Sequence, residues 1–423
     1  MGLKRGLGLV STTLYGIGVI LGAGIYALIS VGAGLAGNML WAAFLVSAFI
    51  AVFTALSYAE LSSMFPTDAA EYNYSRKAFR REWLSYAVGW VLAVGTVIAA
   101  STVALGFGGY LHSLTGLHPT VAALLLIAAM TVLNFWGIQE SAGFNNIATS
   151  LEMLGLLIVI AAGFLTPSQA DVDLFEPPSS GLGGIFAAIS VIFFAYIGFE
   201  NVANLSEEVK DSKKTVPRAL ILALGISTIL YMLVAISAVR EVGWQALSES
   251  KAPLTLVVSR MLGDYAPLMS YIALFATANT VLMFLIVSSR VFYGMSAGGS
   301  MPGQFSAVGS RGTPFISVAA VGLLAALVAS LSDIKTVAQL TDLAVFTAYF
   351  VVNASLIALA GEKLKRGFVS PRLAGIPVFA YMGALTSLLM LLFFPPYLFA
   401  LEGIILVAGG MLYLGKPKAR TAR

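Results

Sequence analysis

Apolar runs of about 20 residues recur along the chain, each closed by glycine, proline or a cluster of charges, and that is the pattern of helices crossing a bilayer. Twelve can be read, over roughly residues 11–34, 38–65, 84–112, 119–137, 144–166, 181–206, 217–239, 266–297, 314–332, 337–361, 374–394 and 397–414. Backbone facing lipid must satisfy its own hydrogen bonds, so runs of this length predict an all-α integral membrane bundle and not a barrel. A single polytopic domain is expected over residues 1–423. The connecting stretches are short or acidic, as in TPSQADVDLFEPP, and none reads as a separately folded domain. The first run begins after only Lys4 and Arg5 and has no small-residue cleavage site, so it is read as a retained span.

Composition sharpens this picture. With 59% hydrophobic and 10% charged residues, a water-soluble domain of this length is excluded. The net charge of +4 raises the question of an anionic partner. Placing both termini in the cytoplasm puts 20 of the 24 Lys and Arg residues inside and leaves only Arg240, Lys251, Arg260 and Lys335 outside. The positive-inside rule explains that sorting for a multi-pass protein of the plasma membrane, and nucleic acid is not needed to explain it. The chain has no cysteine, which excludes disulfides and thiol chemistry, and the isolated His112 and His118 offer no metal-ligand spacing. No cofactor is expected.

Two of the runs are abnormal. The first, STTLYGIGVILGAGIYALISVGAG, carries Gly16, Gly18, Gly22 and Gly24, and the sixth carries YIGFEN, where Gly198 is followed by Glu200 and Asn201. They lie five runs apart. Corresponding interrupted helices in two halves point to an inverted repeat with a site near the midplane: repeat one over 11–166, repeat two over 181–361, and appended helices over 374–414. Freed N–H groups at a half-helix start favour a carboxylate, and freed carbonyls favour an ammonium, so the pair of breaks suits a zwitterion. Close helix packing through small residues is the alternative reading of the first-run glycines. Glu200 tilts the balance toward a site, because an ionisable group inside a span costs roughly 2.5–3.5 kcal/mol on insertion scales.

Four stretches in order, GIGVILGAGIYAL, ALSYAELSSMFPTDAAEYNYSRKAF, FFAYIGFENVANLSEEVKDSKKTVPRA and SSRVFYGMSAGGSMP, resemble the motifs of the amino acid–polyamine–organocation superfamily, whose five-plus-five architecture is called the LeuT fold. Two positions depart from the pattern: Ala69-Ala70 replaces a glycine pair, and Gly298 replaces an acid. The resemblance implies that Gly22, Ala23, Gly24 and Ile25 present amides to a substrate carboxylate. It implies that Ala195, Tyr196 and Gly198 lie at the sixth-helix break, with Phe199 and Tyr196 lining or gating the pocket; Glu200, from its place beside Gly198, is read as holding the break. Glu207, Glu208, Lys210, Lys213, Lys214 and Arg218 are read as a solvated or inner-gate ion network.

Many members resembling this family carry a fifth-helix lysine eighteen residues after the asparagine of an NxxG stretch. Here Asn134 opens NFWG and the matching residue is Glu152, so the charge is reversed. Protonated, Glu152 donates to a freed carbonyl such as that of Gly18 and carries a proton; ionised, it helps Thr277 or Thr280 hold sodium; as a purely structural group, it pairs with a loop lysine. Glu60 reads as a gate or packing partner near the end of its helix. The expected function is amino acid transport by alternating access, with proton symport preferred. The alternatives are a cationic amino acid or polyamine exchanger and a sodium-coupled symporter. An enzyme would need a nucleophile–base pair or metal ligands, and a channel has no use for paired breaks.

Overall fold

The computed structural model describes residues 7–22, 24–66, 70–136, 141–167, 172–206, 209–309, 313–331 and 333–415, with no side-chain account of 141–146, 204 and 205. Its helices run α1 Leu9–Leu21, α2 Gly24–Ala36, α3 Leu40–Met64, α4 Ala70–Phe79, α5 Glu82–Thr115, α6 Pro119–Trp136, α7 Ser141–Leu165 and α8 Leu182–Ile192. They continue as α9 Ser212–Glu249, α10 Pro253–Leu262, α11 Pro267–Ala297, α12 Phe315–Leu331, α13 Ile334–Leu359, α14 Val378–Leu391 and α15 Pro396–Leu414. Among the described residues there is no β-strand, only two isolated bridges, Leu7 with Val209 and Leu373 with Ile376. Among the described residues nine stretches are long and apolar enough to cross a membrane, and three shorter apolar helices, α1, α12 and α14, accompany them.

Every apolar run of the sequence is occupied by helix, but the run boundaries miss three features. The first run is two helices, α1 and α2. The sixth leaves α8 for 3₁₀ turns over Phe193–Tyr196 and Phe199–Leu205. The seventh, read as 217–239, extends to Ser212–Glu249 with a kink at Gly243 (φ 74°, ψ 154°), a backbone conformation that glycine tolerates. Two connecting helices carry no apolar run. In α4, Ala70, Glu71, Tyr74 and Ser75 fall on one helical face and are buried, while Arg76 and Lys77 in the last turn suit the helix dipole. In α10, Pro253 starts the helix, where its missing N–H costs nothing.

α5 packs along α11 and α13, and α3 packs along α9, giving the bundle its centre. Polar side chains join these helices across the apolar interior. Ser57 of α3 donates to Asn353 Oδ1 on α13 at 2.6 Å, and Asn353 Nδ2 donates to Thr54 at 2.9 Å. Such bonds between membrane helices contribute about 0.6 kcal/mol each on average, so they fix register more than they hold the bundle together. Outward-facing Leu125, Leu323, Leu388 and Ile404 on α6, α12, α14 and α15 provide the apolar coat that lipid requires. At the far end of α3, Glu60 is fully buried yet well partnered. Arg372 Nη2 donates to its Oε1 at 2.5 Å, Arg366 Nε lies at 3.5 Å, and Ser370 donates through N and Oγ to its Oε2 at 3.0 and 2.6 Å. The loop between α13 and α14 is thereby tied to α3.

Candidate functional site at the paired helix breaks

The first break opens where α1 stops at Leu21. Gly22 still donates to Gly18 O at 3.3 Å, and helix resumes as α2 at Gly24. Ala23, expected to offer an amide here, lies outside the described residues. The N–H groups of Gly24 and Ile25 open α2 and by position have no acceptor within their own helix.

The second break follows α8. Ile197 is extended (φ −61°, ψ 133°) and Gly198 sits at φ 120°, a conformation only glycine adopts without strain. Two carboxylates hold its ends. Phe194 N donates to Asp342 Oδ2 at 3.1 Å, and Gly198 N donates to Glu200 Oε2 at 2.9 Å, which also accepts from the Tyr349 hydroxyl at 2.8 Å. Asp342 and Tyr349 are two turns apart on α13, so one face of that helix tracks the break, with Phe346 between them 4.3 Å from the Phe193 ring centroid.

The two breaks meet directly. A Cβ on Gly24 would run into the Cα and Cβ of Ala195 and lie 2.7 Å from its N, and one on Gly198 would come within 2.7 Å of Val19 Cγ1. Gly16 packs on Val202 in the same way. The glycines therefore serve close approach, as the packing alternative held, and what they bring together is the two interrupted segments. Tyr231 of α9 reaches both, its hydroxyl 2.5 Å from Ile20 O and 3.0 Å from Ala195 O. A hydroxyl has one proton, so it fully serves one of these two freed carbonyls at a time.

Glu152 lies on the other side of the first break. A Cβ on Gly22 would meet Thr280 Oγ1 and lie 3.3 Å from Glu152 Oε1, while one on Gly18 would meet Thr149 Oγ1. Glu152 is fully buried and neither carboxylate oxygen has a hydrogen-bond partner of good geometry, although Asn279 faces it. Its backbone carbonyl accepts from Tyr26 at 2.8 Å. Glu152 makes no ion pair among the described residues, so pairing with a loop lysine is not what the structure shows. Thr277 donates within α11 to Ala273 O at 2.6 Å, and Thr280 to Ala276 O at 3.2 Å.

Tyr196 and Phe199 are both fully buried. The Tyr196 hydroxyl donates to Phe44 O at 3.0 Å and its ring meets Tyr231 edge-on, while Phe199 meets Tyr58 edge-on and Tyr349 at a tilt, so Tyr196 packs between α3 and α9 and Phe199 between α3 and α13. Glu207 and Glu208 lie outside the described residues, and of the loop cations Lys214 makes an exposed pair with Asp211 at 3.9 Å. Glu71 of α4, which lies between the first two long spans after α2, accepts from Tyr58 at 3.0 Å, and burial pushes its carboxyl up to about 7. A cavity of about 240 Å³ lined by Tyr26, Ser30, Gly106, Lys251 and Ile334 lies along the first half of α2.

The sequence reading passes over Asp342 and Tyr231. An acid within the run 337–361 carries the same insertion cost that marks Glu200, so Asp342 is legible by that argument. Tyr231 is one tyrosine in an apolar run and carries no signal.

Comparison with known proteins places the whole arrangement within one family of sequences. Residues 7–413 match the family model described as amino acid permease. The chain is 31% identical over 415 residues to the branched-chain amino acid permease BcaP of Bacillus subtilis (strain 168), covering 92% of this chain and 88% of that protein. It is 30% identical over 402 residues to the methylthioribose transporter of the same organism, with 89% and 86% covered. It is also 30% identical over 386 residues to the vacuolar cationic amino acid transporter 4 of Arabidopsis thaliana, with 84% and 63% covered.

Proposed function

The chain belongs to the amino acid permease family, a membrane transporter and not an enzyme, and from that premise we propose that it carries an amino acid by alternating access, coupled to protons. The scaffold in this reading is twelve spans in a five-plus-five inverted repeat, with the two halves contributing the breaks at 22–24 and 197–198, in a plasma membrane with both termini cytoplasmic. The observation that carries it is the contact of Gly24 with Ala195, which brings the start of α2 directly against the second break. A substrate carboxylate meets the amides of Gly22, Ala23, Gly24 and Ile25, favoured by the half-helix dipole. Its ammonium meets the carbonyls around Ala195 to Gly198, where the Tyr231 hydroxyl leaves one acceptor underserved.

Glu152 is the coupling group in this reading. An ionised carboxylate in its position has no donor of good geometry to meet it, and protonation removes a buried charge. The neutral acid lets α1 shift past α7 and α11 as the site changes sides. Glu200 has a different task, since its Oε2 is already engaged by Gly198 and Tyr349; it holds the shape of the second break. The cavity beside Ser30 and Lys251 is the entrance from outside.

A thermal-shift screen of the purified protein against the amino acids and common polyamines, at mildly acidic and neutral pH, with and without sodium, tests this directly. Stabilisation by amino acids that is larger at acidic pH and indifferent to sodium is expected. Stabilisation by polyamines alone, or only with sodium, overturns the substrate or the coupling half.

A further inference from the structure

The lipid-facing surface of the bundle is not smooth. α3 and α9 pack along each other, and between them lies a cavity of about 320 Å³ lined by Leu45, Phe49, Val52 and Leu56 of α3 and by Ile221 and Thr228 of α9. Leu45, Phe49, Val52 and Ile221 are exposed, so the groove faces hydrocarbon. From Leu45 to Leu56 it follows α3 for about 16 Å at the helical rise, close to the depth of one leaflet in a core about 30 Å thick. A slot of that length between two adjoining helices has the shape of an extended acyl chain, whereas a helix about 10 Å across is too broad to enter it.

Its two ends differ. At one, Thr228 faces the Tyr196 hydroxyl, which donates to Phe44 O beside Leu45, so the groove abuts the second break. The other end, at Leu56 and Ile221, leads to charge. Lys214, Arg218, Ile221 and Thr228 fall on one stripe of α9 at helical spacing, and Lys214 and Arg218 are exposed. Arg218 is one turn from Ile221 and is the last cation before the apolar sequence ALILALG, so it stands where hydrocarbon gives way to headgroups. Asp211 lies 3.9 Å from Lys214 in an exposed pair and offsets part of that charge, so Arg218 carries the larger share. A guanidinium meets phosphate with two parallel N–H donors, and an apolar slot with such a cation at its mouth matches an amphiphile with an anionic head.

We propose that the groove between α3 and α9 binds one phospholipid of net negative charge, with an acyl chain lying from Leu45 to Leu56 and the phosphate at Arg218. The site does not depend on which substrate or coupling ion the carrier uses. With the start of α9 in the cytoplasm, the lipid belongs to the inner leaflet. Because Thr228 and Phe44 join the groove to Tyr196, a seated chain braces the second break from the lipid side.

Native mass spectrometry of the purified full chain in mild detergent, titrated with phosphatidylglycerol and with phosphatidylcholine of the same acyl chains, separates head from tail. The wild type is expected to retain one phosphatidylglycerol, bound about fivefold or more tightly than phosphatidylcholine, the scale of one cation at an anionic surface. Arg218→Gln removes most of that preference and leaves phosphatidylcholine retention unchanged. Val52→Trp, at an exposed position of the groove, fills the slot and lowers retention of both lipids; Ile221→Trp on the facing helix decides the matter if the first variant does not fold. No retained lipid, equal wild-type retention of the two lipids, or a preference that survives Arg218→Gln overturns the proposal. Retention unchanged in both Trp variants places the lipid elsewhere and overturns it too. A lipid-free wild-type dimer that Val52→Trp dissociates overturns it in favour of a second copy of the chain at this face.

Discussion

Replacing Gly24 with alanine adds a single methyl at the point where the two breaks touch. That Cβ meets the Cα, Cβ and N of Ala195, and because most of those atoms are backbone, no side-chain rotation relieves the clash. The two segments must separate by roughly 1 Å, the scale of overpacking that costs about 1–3 kcal/mol in a well-packed interior. At about 2 °C per kcal/mol or less for a chain this long, the unfolding midpoint falls by up to about 6 °C. Gly225→Ala is the matched control: it lies within α9, nothing stands within 4 Å of its added Cβ, and the alanine improves helix propensity by up to about 1 kcal/mol. Scanning fluorimetry in detergent measures both, and binding of an amino acid ligand measures the site. The Gly24 variant loses stability and ligand response together, while the Gly225 variant keeps both. A Gly24→Ala protein with wild-type midpoint and wild-type affinity would show that the close approach of the breaks does not form the site.

Two further outcomes follow from groups outside the breaks. Burial raises the Glu71 carboxyl from its ordinary 4.5 to about 7, so the folded state keeps a proton that the unfolded chain releases; relative to Glu71→Gln, the wild type loses up to about 3 kcal/mol as pH rises from about 4.5 through 7. Parallel stability profiles for the two proteins across that range would refute this. Arg372→Ala leaves the fully buried Glu60 with the weaker Arg366 partner and costs up to about 3 kcal/mol, part of which Glu60→Gln restores in the double variant. Strictly additive losses in the double-mutant cycle would show that the pair is not coupled.

The helices were legible because a bilayer imposes a length, and the breaks because glycine and an acid are costly inside an apolar run. Glu152 stands out in the sequence only through the family resemblance, as a carboxylate eighteen residues beyond Asn134 where many members carry a lysine. Other features were not. Tyr231 bridges Ile20 and Ala195 across three separate segments, and only the fold puts them together. The partnering of Glu60 by Arg366 and Arg372 joins residues some 300 positions apart, so local pattern carries no trace of it. Tyr196 and Phe199 are read as pocket aromatics from the resemblance carried by YIGFEN, whereas their partners, Phe44 and Tyr231 for one and Tyr58 and Tyr349 for the other, lie on helices distant in sequence and are visible only in the fold.

In the proposed mechanism an amino acid bound at the two breaks is driven by a proton on Glu152. The direct measurement is uptake of labelled amino acid into proteoliposomes under an imposed inward proton gradient, for the wild type and Glu152→Gln side by side, with exchange of labelled for unlabelled substrate recorded on the same vesicles. Uphill accumulation by the wild type is expected, with a Gln variant that exchanges substrate but does not accumulate it. Accumulation by Glu152→Gln equal to that of the wild type would contradict it.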